Sequence, residues 1–384
     1  MAFIAGVGLT PFGRQPGTDA LGWQTQSARQ ALADAGRTTR DVDALLVGYA
    51  TTMHHLMPAN LLAEYMGIQP QISLGVNVGG ATGLAMLAQA VHLIDSGAAS
   101  TVLIAAGEDR ASGQTSDSAI KTLAQVGHAK YEVPLGANIP SYYALAASEY
   151  LEKYGLEPRD IAPLAVQMRN NALKHVGAQF SKPITVVDVV GSPVVANPLR
   201  LLDCCPLSDG GAAVVVTRVR TSDRDIEISG LGKANLHQHI SEADFDNFGA
   251  RISSAEALNQ AGITIDDVGV FGVYDSFTVT LAILLEEIGV AAPGEAGAMA
   301  ANGDFAFDGR YPLNLHGGLL SYGHPGVAGG MAHLIEVTTQ MRREAGERQT
   351  PGTPEWGFVH ADGGVLSAHV SVVLRQETAA MKGS

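Results

Sequence analysis

"SARQALADAGRTTRDVDALLVGYA" (residues 27–50) and "SSAEALNQAGITIDDVGVFGVYDS" (253–276) carry one pattern twice. Each is an apolar stretch with helical spacing closed by glycine, then an acidic turn, then a buried strand. Ala31, Leu32, Gly36, Asp41 and Val42 match Ala257, Leu258, Gly262, Asp267 and Val268. Ahead of each copy lies a short alternating strand that runs into a glycine turn, "FIAGVG" (3–8) and "EISGLG" (227–232). Behind them, "GGATGLAMLAQAVHLIDSG" (79–97) with the strand "TVLIAAG" (101–107) mirrors "GVAGGMAHLIEVTTQMR" (326–342) with the strand "WGFVHADGG" (356–364). Both halves therefore read strand, helix, strand, glycine turn, buried helix, strand, which predicts a duplicated α/β protein with helix-covered sheets and a pseudo-twofold axis. The halves are expected to span 1–222 and 223–384. The stretch from about 108 to 200 has no counterpart and holds polar, Tyr-rich and Pro-containing sequence, so it is expected to be an inserted loop domain covering the site.

Bulk properties limit the function classes. The 384 residues, with 45 glycines and 46% hydrophobic content, suit a close-packed globule with two related halves. A formal charge of -14, from 38 acids against 24 bases, argues against wholesale binding of nucleic acid or of an anionic membrane surface. An anionic ligand would need a local basic pocket. The only cysteines, Cys204 and Cys205, are too few for a disulfide framework and wrongly spaced for zinc, so a reducing, cytoplasmic compartment is expected. The N-terminal "MAFIAGVGLTPFG" lacks a basic region followed by an apolar core, and no apolar run reaches a membrane-spanning length, so neither export nor insertion is expected.

The stretch "LNLHGGLLSYGHPGVAGGMAHLIE" (313–336) carries the candidate chemistry. Gly323, Gly326, Gly329 and Gly330 permit a sharp turn and a close helix approach, and Pro325 favours a helix start. His324 would then face a reaction space beside unpaired amides and a positive dipole end. The alternative is a structural histidine beside a packing turn.

Together, the duplicated halves, "PLSDGGAAVVV" (206–216), "YDSFT" (274–278) and "NLHGGLLSYGHPGVAGG" (314–330) resemble the thiolase superfamily across essentially the whole chain. The similarity is greatest to its sterol-carrier-protein-type branch of lipid-transfer proteins and acyl-CoA retro-aldolases. That resemblance implies a five-layer α-β-α-β-α fold, usually a homodimer, that takes acyl-CoA as substrate without a further cofactor and makes or breaks carbon-carbon bonds beside the thioester. It also implies a small zinc-ribbon and OB-fold partner protein, commonly in a heterotetramer.

The chain departs from the family where the nucleophile belongs. Family thiolases place a cysteine at the start of the first buried helix, and in "VNVGGATGLAML" that place is held by Gly80. A second family cysteine belongs in the last glycine turn, which reads "HADGGVLS" (360–367) with Ala361 at or near the position. Glycine cannot carry an acyl group, so the acyl-enzyme route is closed unless another nucleophile substitutes. Cys204 and Cys205 precede a core strand and are expected to be structural.

Two motifs remain. His324 sits in the family's "GHP" turn, where histidine binds the thioester oxygen or moves a proton. Tyr274 and Asp275 hold the family's "NEAF" or "HDCF" position, and a tyrosine there is similar to the retro-aldolases, which cleave thioesters bearing a tertiary β-hydroxyl during sterol side-chain breakdown. Retro-aldol cleavage needs a base for the β-hydroxyl proton and donors for the thioester enolate, tasks that Tyr274 and His324 can divide in either order. The leading expectation is an acyl-CoA aldol lyase with catalytic Tyr274, His324 and Asp275. The alternatives are a noncanonical acetyl-CoA acyltransferase and a non-catalytic acyl-thioester carrier.

Asn314, His316, Gly80, His360 and Asp362 are expected to line the pocket or support it. Tyr142 and Tyr143 are candidates for acyl-chain contact, and Lys121, Lys130, Arg169 and Lys174 for the nucleotide. No metal is expected: the pairs His54-His55 and His237/His239 lack further ligands nearby in sequence.

Overall fold

Nine strands build one mixed sheet in the computed structural model, which describes residues 1–376. The first half contributes β1 (Ala2–Leu9), β2 (Ala44–Gly48), β3 (Ile72–Val76) and β4 (Thr101–Asp109), interleaved with α1 (Ala20–Asp34), α2 (Pro58–Met66) and α3 (Thr82–Asp95). A long excursion follows, made of α4 (Ser116–Ala124), α5 (Ile139–Tyr154), α6 (Pro158–Ala172), α7 (Val186–Gly191) and a small hairpin of β5 (Val194–Ala196) and β6 (Leu199–Arg200). Strand β7 (Asp209–Thr217) then returns to the sheet. The second half comprises β8 (Ile226–Asn235), α8 (Ala250–Ala261), β9 (Val270–Val273), α9 (Thr278–Ile288), α10 (Ala296–Ala301), α11 (Gly318–Ser321), α12 (Gly329–Met341), β10 (Trp356–Gly363) and β11 (Ala368–Arg375).

The strand order β3-β2-β4-β7-β1-β8-β11-β10-β9 is the duplication written in space. Strand β2 runs parallel to β4, as β9 does to β10, while β7 and β11 are antiparallel to both of their neighbours. Leu313 bridges Phe271 in parallel, standing beside β9 as β3 stands beside β2. Pairing of β1 with β8, from Ala2↔Ile228 to Ile4↔Ile226, joins the halves. Helix α1 covers one outer face and α8 the other, while α3 and α12 pack on each other and touch strands of both halves. The result is the duplicated, helix-covered α/β arrangement that the repeats predict, with α3 and α12 packed between its halves.

Local chemistry explains why both copies fold alike. A methyl group on Gly8 would stand 2.1 Å from the Ser27 carbonyl oxygen of α1, and one on Gly232 would stand 1.8 Å from that of Ser253 in α8. The glycines of "FIAGVG" and "EISGLG" thus let each outer helix lie directly on its strand. After α1 and α8 the chain turns at the left-handed Gly36 and Gly262 (φ 61° and 72°). Asp41 then accepts from the Thr38 amide at 2.7 Å and Asp267 from that of Thr264 at 2.8 Å. Strands β2, β7 and β9 are buried along their whole length, as sheets covered on both faces require. No helix among the described residues is long and apolar enough to cross a membrane.

Candidate active site

The candidate pair Tyr274 and His324 comes from the second half and Gly80 from the first. Tyr274 directly follows β9, and its amide donates to the His360 carbonyl at 3.0 Å, extending the parallel pairing with β10. His324 sits in the turn before α12, where Gly323 takes φ 134° and the His324 amide donates to Ser208 Oγ at 2.8 Å. These anchors bring Tyr274 Oη to 2.9 Å from His324 Nε2, with the rings nearly perpendicular at 89°. Facing them is Gly80, two residues ahead of α3. A Cβ added to Gly80 would lie 2.1 Å from Tyr274 Oη and 2.5 Å from the Asp362 carbonyl. The phenol therefore occupies the space that a side chain at 80 would need, at the positive end of a buried helix.

Burial sets the protonation of this pair. It pushes the Tyr274 phenol well above its ordinary range, reinforced by the nearby Asp362 and Cys205 and opposed by Arg110. Burial, helped by the Arg110 charge and by His333, lowers His324 to about 3. At neutral pH the site thus holds a neutral phenol and a neutral imidazole, so one proton is shared across the 2.9 Å contact. Burial raises Asp362 to about 7. Its Oδ2 accepts from Tyr143 Oη and from the Leu366 amide, both at 3.2 Å. Tyr143, which belongs to α5, stacks on Phe277 with ring centroids 4.4 Å apart, so the excursion between β4 and β7 contributes a ring beside this end of the sheet.

The remaining sequence candidates fall into separate places. The Asp275 carboxylate turns away from the phenol to accept from the Leu319 and Leu320 amides of α11 at 2.7 and 3.3 Å, with His333 Nε2 3.4 Å away. Asn314 spends its amide on the Val273 backbone, accepting at 2.8 Å and donating at 2.7 Å, which fastens the segment before α11 to β9. His360 points to the far side of β10, 2.8 Å from Ser371 Oγ and 3.2 Å from His369 Nδ1. His316 is fully buried with neither ring nitrogen hydrogen-bonded, and its ring lies 5.0 Å from that of His333. The structure thus brings together Tyr274, His324, Gly80 and Asp362. It places Asp275, Asn314 and His360 in backbone or imidazole contacts of their own.

Neither thiol meets His324. Cys204 Sγ donates to the Arg200 carbonyl at 3.2 Å, and burial raises its thiol to about 12. Cys205 lies near enough for its charge to be felt at Tyr274, and burial raises it further still. Arg169 is buried against Ser321 Oγ and the Lys182 carbonyl and stacks on Phe180, so it does not face an open nucleotide groove. Lys174 sits over Phe307 and Lys130 over Tyr131. Among the described residues no three His, Cys, Asp or Glu side chains gather as a metal ion would need.

Similarity to known proteins follows the same architecture. The family described as thiolase, N-terminal domain, matches residues 2–220, and that described as thiolase C-terminal domain-like matches 232–376. The chain belongs to the thiolase superfamily. It is 30% identical to an acetyl-CoA acetyltransferase of Methanothermobacter thermautotrophicus, over 96% of this chain and 98% of the relative. It is also 30% identical to a steroid side-chain-cleaving aldolase of Thermomonospora curvata, over 88% of this chain and 90% of the relative. The solved structure called Ltp2-ChsH2(DUF35) aldolase superposes with a TM-score of 0.85 at 29% identity, covering 99% of this chain and 98% of that one.

Within this thiolase fold several residues around the pair escaped sequence reasoning. His333, in "GMAHLIE", occupies an apolar helical position and reads as core, yet its ring lies 6.2 Å from that of Tyr274. Glu108 holds the "GHP" turn in place by accepting from the Val327 amide at 3.0 Å. Arg110, just beyond the end of β4, brings a cation close enough to be felt by both Tyr274 and His324. The signal that could have found the last two is their position at the carboxyl end of a central strand, where α/β sheets place their ligands.

Proposed function

We propose that this chain cleaves β-hydroxyacyl-CoA thioesters by a retro-aldol reaction that forms no acyl-enzyme. The observation that carries the reading is the Tyr274 phenol held 2.9 Å from His324 Nε2 in the space a nucleophilic side chain at Gly80 would fill. The substrate's β-hydroxyl gives its proton to Tyr274 Oη while the phenol passes its own to His324 Nε2. The bond between the α and β carbons breaks, its electron pair moves onto the thioester as an enolate, and the β carbon becomes a carbonyl. The imidazolium then returns a proton through the phenol to the α carbon, which leaves both residues as they began. The amino end of α3 and the Arg110 charge favour the transient negative oxygen. Tyr274→Phe should lower kcat by roughly 100- to 10,000-fold with the fold intact, read as release of the ketone and the shortened acyl-CoA in equal amounts. Undiminished cleavage would remove the phenol from the scheme.

A second reading, acyl transfer, is favoured by the acetyl-CoA acetyltransferase relative, with Cys205 the thiol nearest the pair. Its raised thiol disfavours the thiolate that transfer would need. Loss of condensation or exchange activity in Cys205→Ser, with cleavage absent throughout, would select it.

Association with further chains belongs to the same proposal. Among the described residues β3 is a sheet edge without a further strand, and Tyr65 of α2, which packs on it, Met57 just ahead of α2 and Leu74 of β3 itself are exposed. An apolar sheet edge of this kind suits a homodimer. A small zinc-ribbon and OB-fold partner accords with the two-component name of the Ltp2-ChsH2(DUF35) aldolase. A cytoplasmic location accords with two free cysteines.

A further inference from the structure

Arg110 is 7% exposed, its Nε is buried with no acceptor, and its guanidinium makes no hydrogen bond or ion pair among the described residues. None of the carboxylates beside it in the fold is paired with it, and Asp109 Oδ1 is itself buried without a partner. Glu108 accepts from the Val327 and Thr51 amides, Asp209 from those of Gln15, Ala111 and Ser112, and Asp109 turns back over Gly113. A permanently charged side chain that is largely buried without a counter-charge is costly, and an anionic ligand in the space its terminal nitrogens border would supply one. Arg110 borders a pocket of about 250 Å³ whose other walls include Arg14, Gln114, Thr115, Gln179 and Leu207. Two guanidinium forks, two side-chain amides and a hydroxyl make a donor set for a carboxylate.

The pocket is continuous with the reacting pair. Leu207 bridges His324, and Gln179 Oε1 accepts at 2.5 Å from the same Ser208 hydroxyl that receives the His324 amide. A Cβ on Gly326, two residues past His324, would stand 3.0 Å from Arg110 Cδ. With the thioester at His324, the nucleotide phosphates lie a full pantetheine arm away, so the pocket meets the acyl group. We infer that Arg110 and Arg14 seat a carboxylate on the β-carbon side of the acyl chain, so that the departing carbonyl half is a keto acid. The inference rests on the retro-aldol reading for the placement of the thioester.

Two pantetheine thioesters without phosphates test it, 3-hydroxy-3-methylglutaryl and 3-hydroxy-3-methylpentanoyl, which differ in a carboxymethyl against an ethyl group. Calorimetric titration into the full chain, alone and with any protein that copurifies, should show the carboxylate thioester binding about 10- to 100-fold tighter, the range of a charge-assisted contact. Arg110→Gln should bring that ratio close to one, Arg110→Lys should keep part of it, and Arg14→Gln should lower it less. Arg110→Gln should also raise the melting temperature of the ligand-free protein, because it removes an unpaired buried cation. A wild-type ratio near one overturns the inference. A lowered melting temperature with both thioesters weakened alike overturns it in favour of a structural arginine. Arg110→Gln weakening CoA itself as much as the carboxylate thioester overturns it in favour of a phosphate site. Cleavage of both thioesters without preference would sink this inference and leave the retro-aldol reading standing, whereas selective binding without cleavage would do the reverse.

Discussion

The two halves make the same contact twice with the sizes exchanged. The repeats 27–50 and 253–276 run in step, so Gly48 stands in the first half where Tyr274 stands in the second. Likewise Gly80 precedes α3 by two residues, as Val327 precedes α12. Across the pseudo-twofold axis, Gly80 faces Tyr274, and a Cβ on Gly80 would lie 2.1 Å from the phenol oxygen. On the other side Val327 faces Gly48, where a Cβ would lie 3.1 Å from Val327 Cγ2. Each crossing therefore combines one small residue with one large one. Only the crossing with Tyr274 carries a proton, beside an imidazole and next to Asp362. The other is filled by a methyl group that can only pack. Duplication supplied two equivalent crossings, and on the reading proposed above side-chain chemistry fits one for proton transfer and the other for packing alone.

The largest way to break this arrangement is to restore a side chain at the empty seat. Gly80→Cys should not recover acyl transfer. It should expel the phenol from its place and lower cleavage by about 100-fold or more, since even a small misplacement of a reacting group is that costly. Steady-state rates together with alkylation of the new thiol would check both halves of that expectation.

Asp362 sharpens the comparison through pH. Its carboxyl is raised by burial to about 7 from an ordinary value of 3.8, so the folded chain binds a proton that the unfolded chain has released. Stability contributed by this group is full below about pH 4, falls as pH rises from there to about 7, and is level above. The slope is at most about 1.4 kcal/mol per pH unit. Denaturant titrations across that window should lose this component in Asp362→Asn.

The smallest effect belongs to the packing side. Val327→Ala should cost about 1–3 kcal/mol by leaving a void over Gly48, with kcat nearly unchanged. A large drop in kcat at constant substrate affinity would mean that the two crossings are coupled more closely than this account holds.

Much of the fold was legible because its signals are local. The glycine after each outer helix and the Thr-Asp turns at 38–41 and 264–267 act over a few residues and appear as the pattern required. The glycines of 3–8 and 227–232, expected to open turns, instead lie inside β1 and β8, where their missing side chains admit the outer helices. The loss of the nucleophile was legible too, as Gly80 in a family position. What fills the space beside Gly80 was not, because it depends on two segments distant in sequence, the turn before α3 and the residue after β9, that meet only in the folded chain. Side-chain direction was equally hidden. Asp275 and Asn314 stand beside the reacting residues in sequence, yet both are consumed by backbone groups. His360 alternates to the outer face of β10. Arg110 was marked only by its place at the end of β4, because an exposed arginine after a strand and a buried unpaired one read alike in sequence.

The central claim is that bond cleavage proceeds by proton movement between Tyr274 and His324 with no acyl group on the protein. Acid-quenched intact mass spectrometry of the enzyme during turnover of a β-hydroxyacyl-CoA tests it most directly. The account predicts an unmodified protein mass at every time point while ketone and shortened acyl-CoA accumulate together. A transient mass increase equal to the acyl group, present in the wild type and absent from Cys205→Ser, would contradict it.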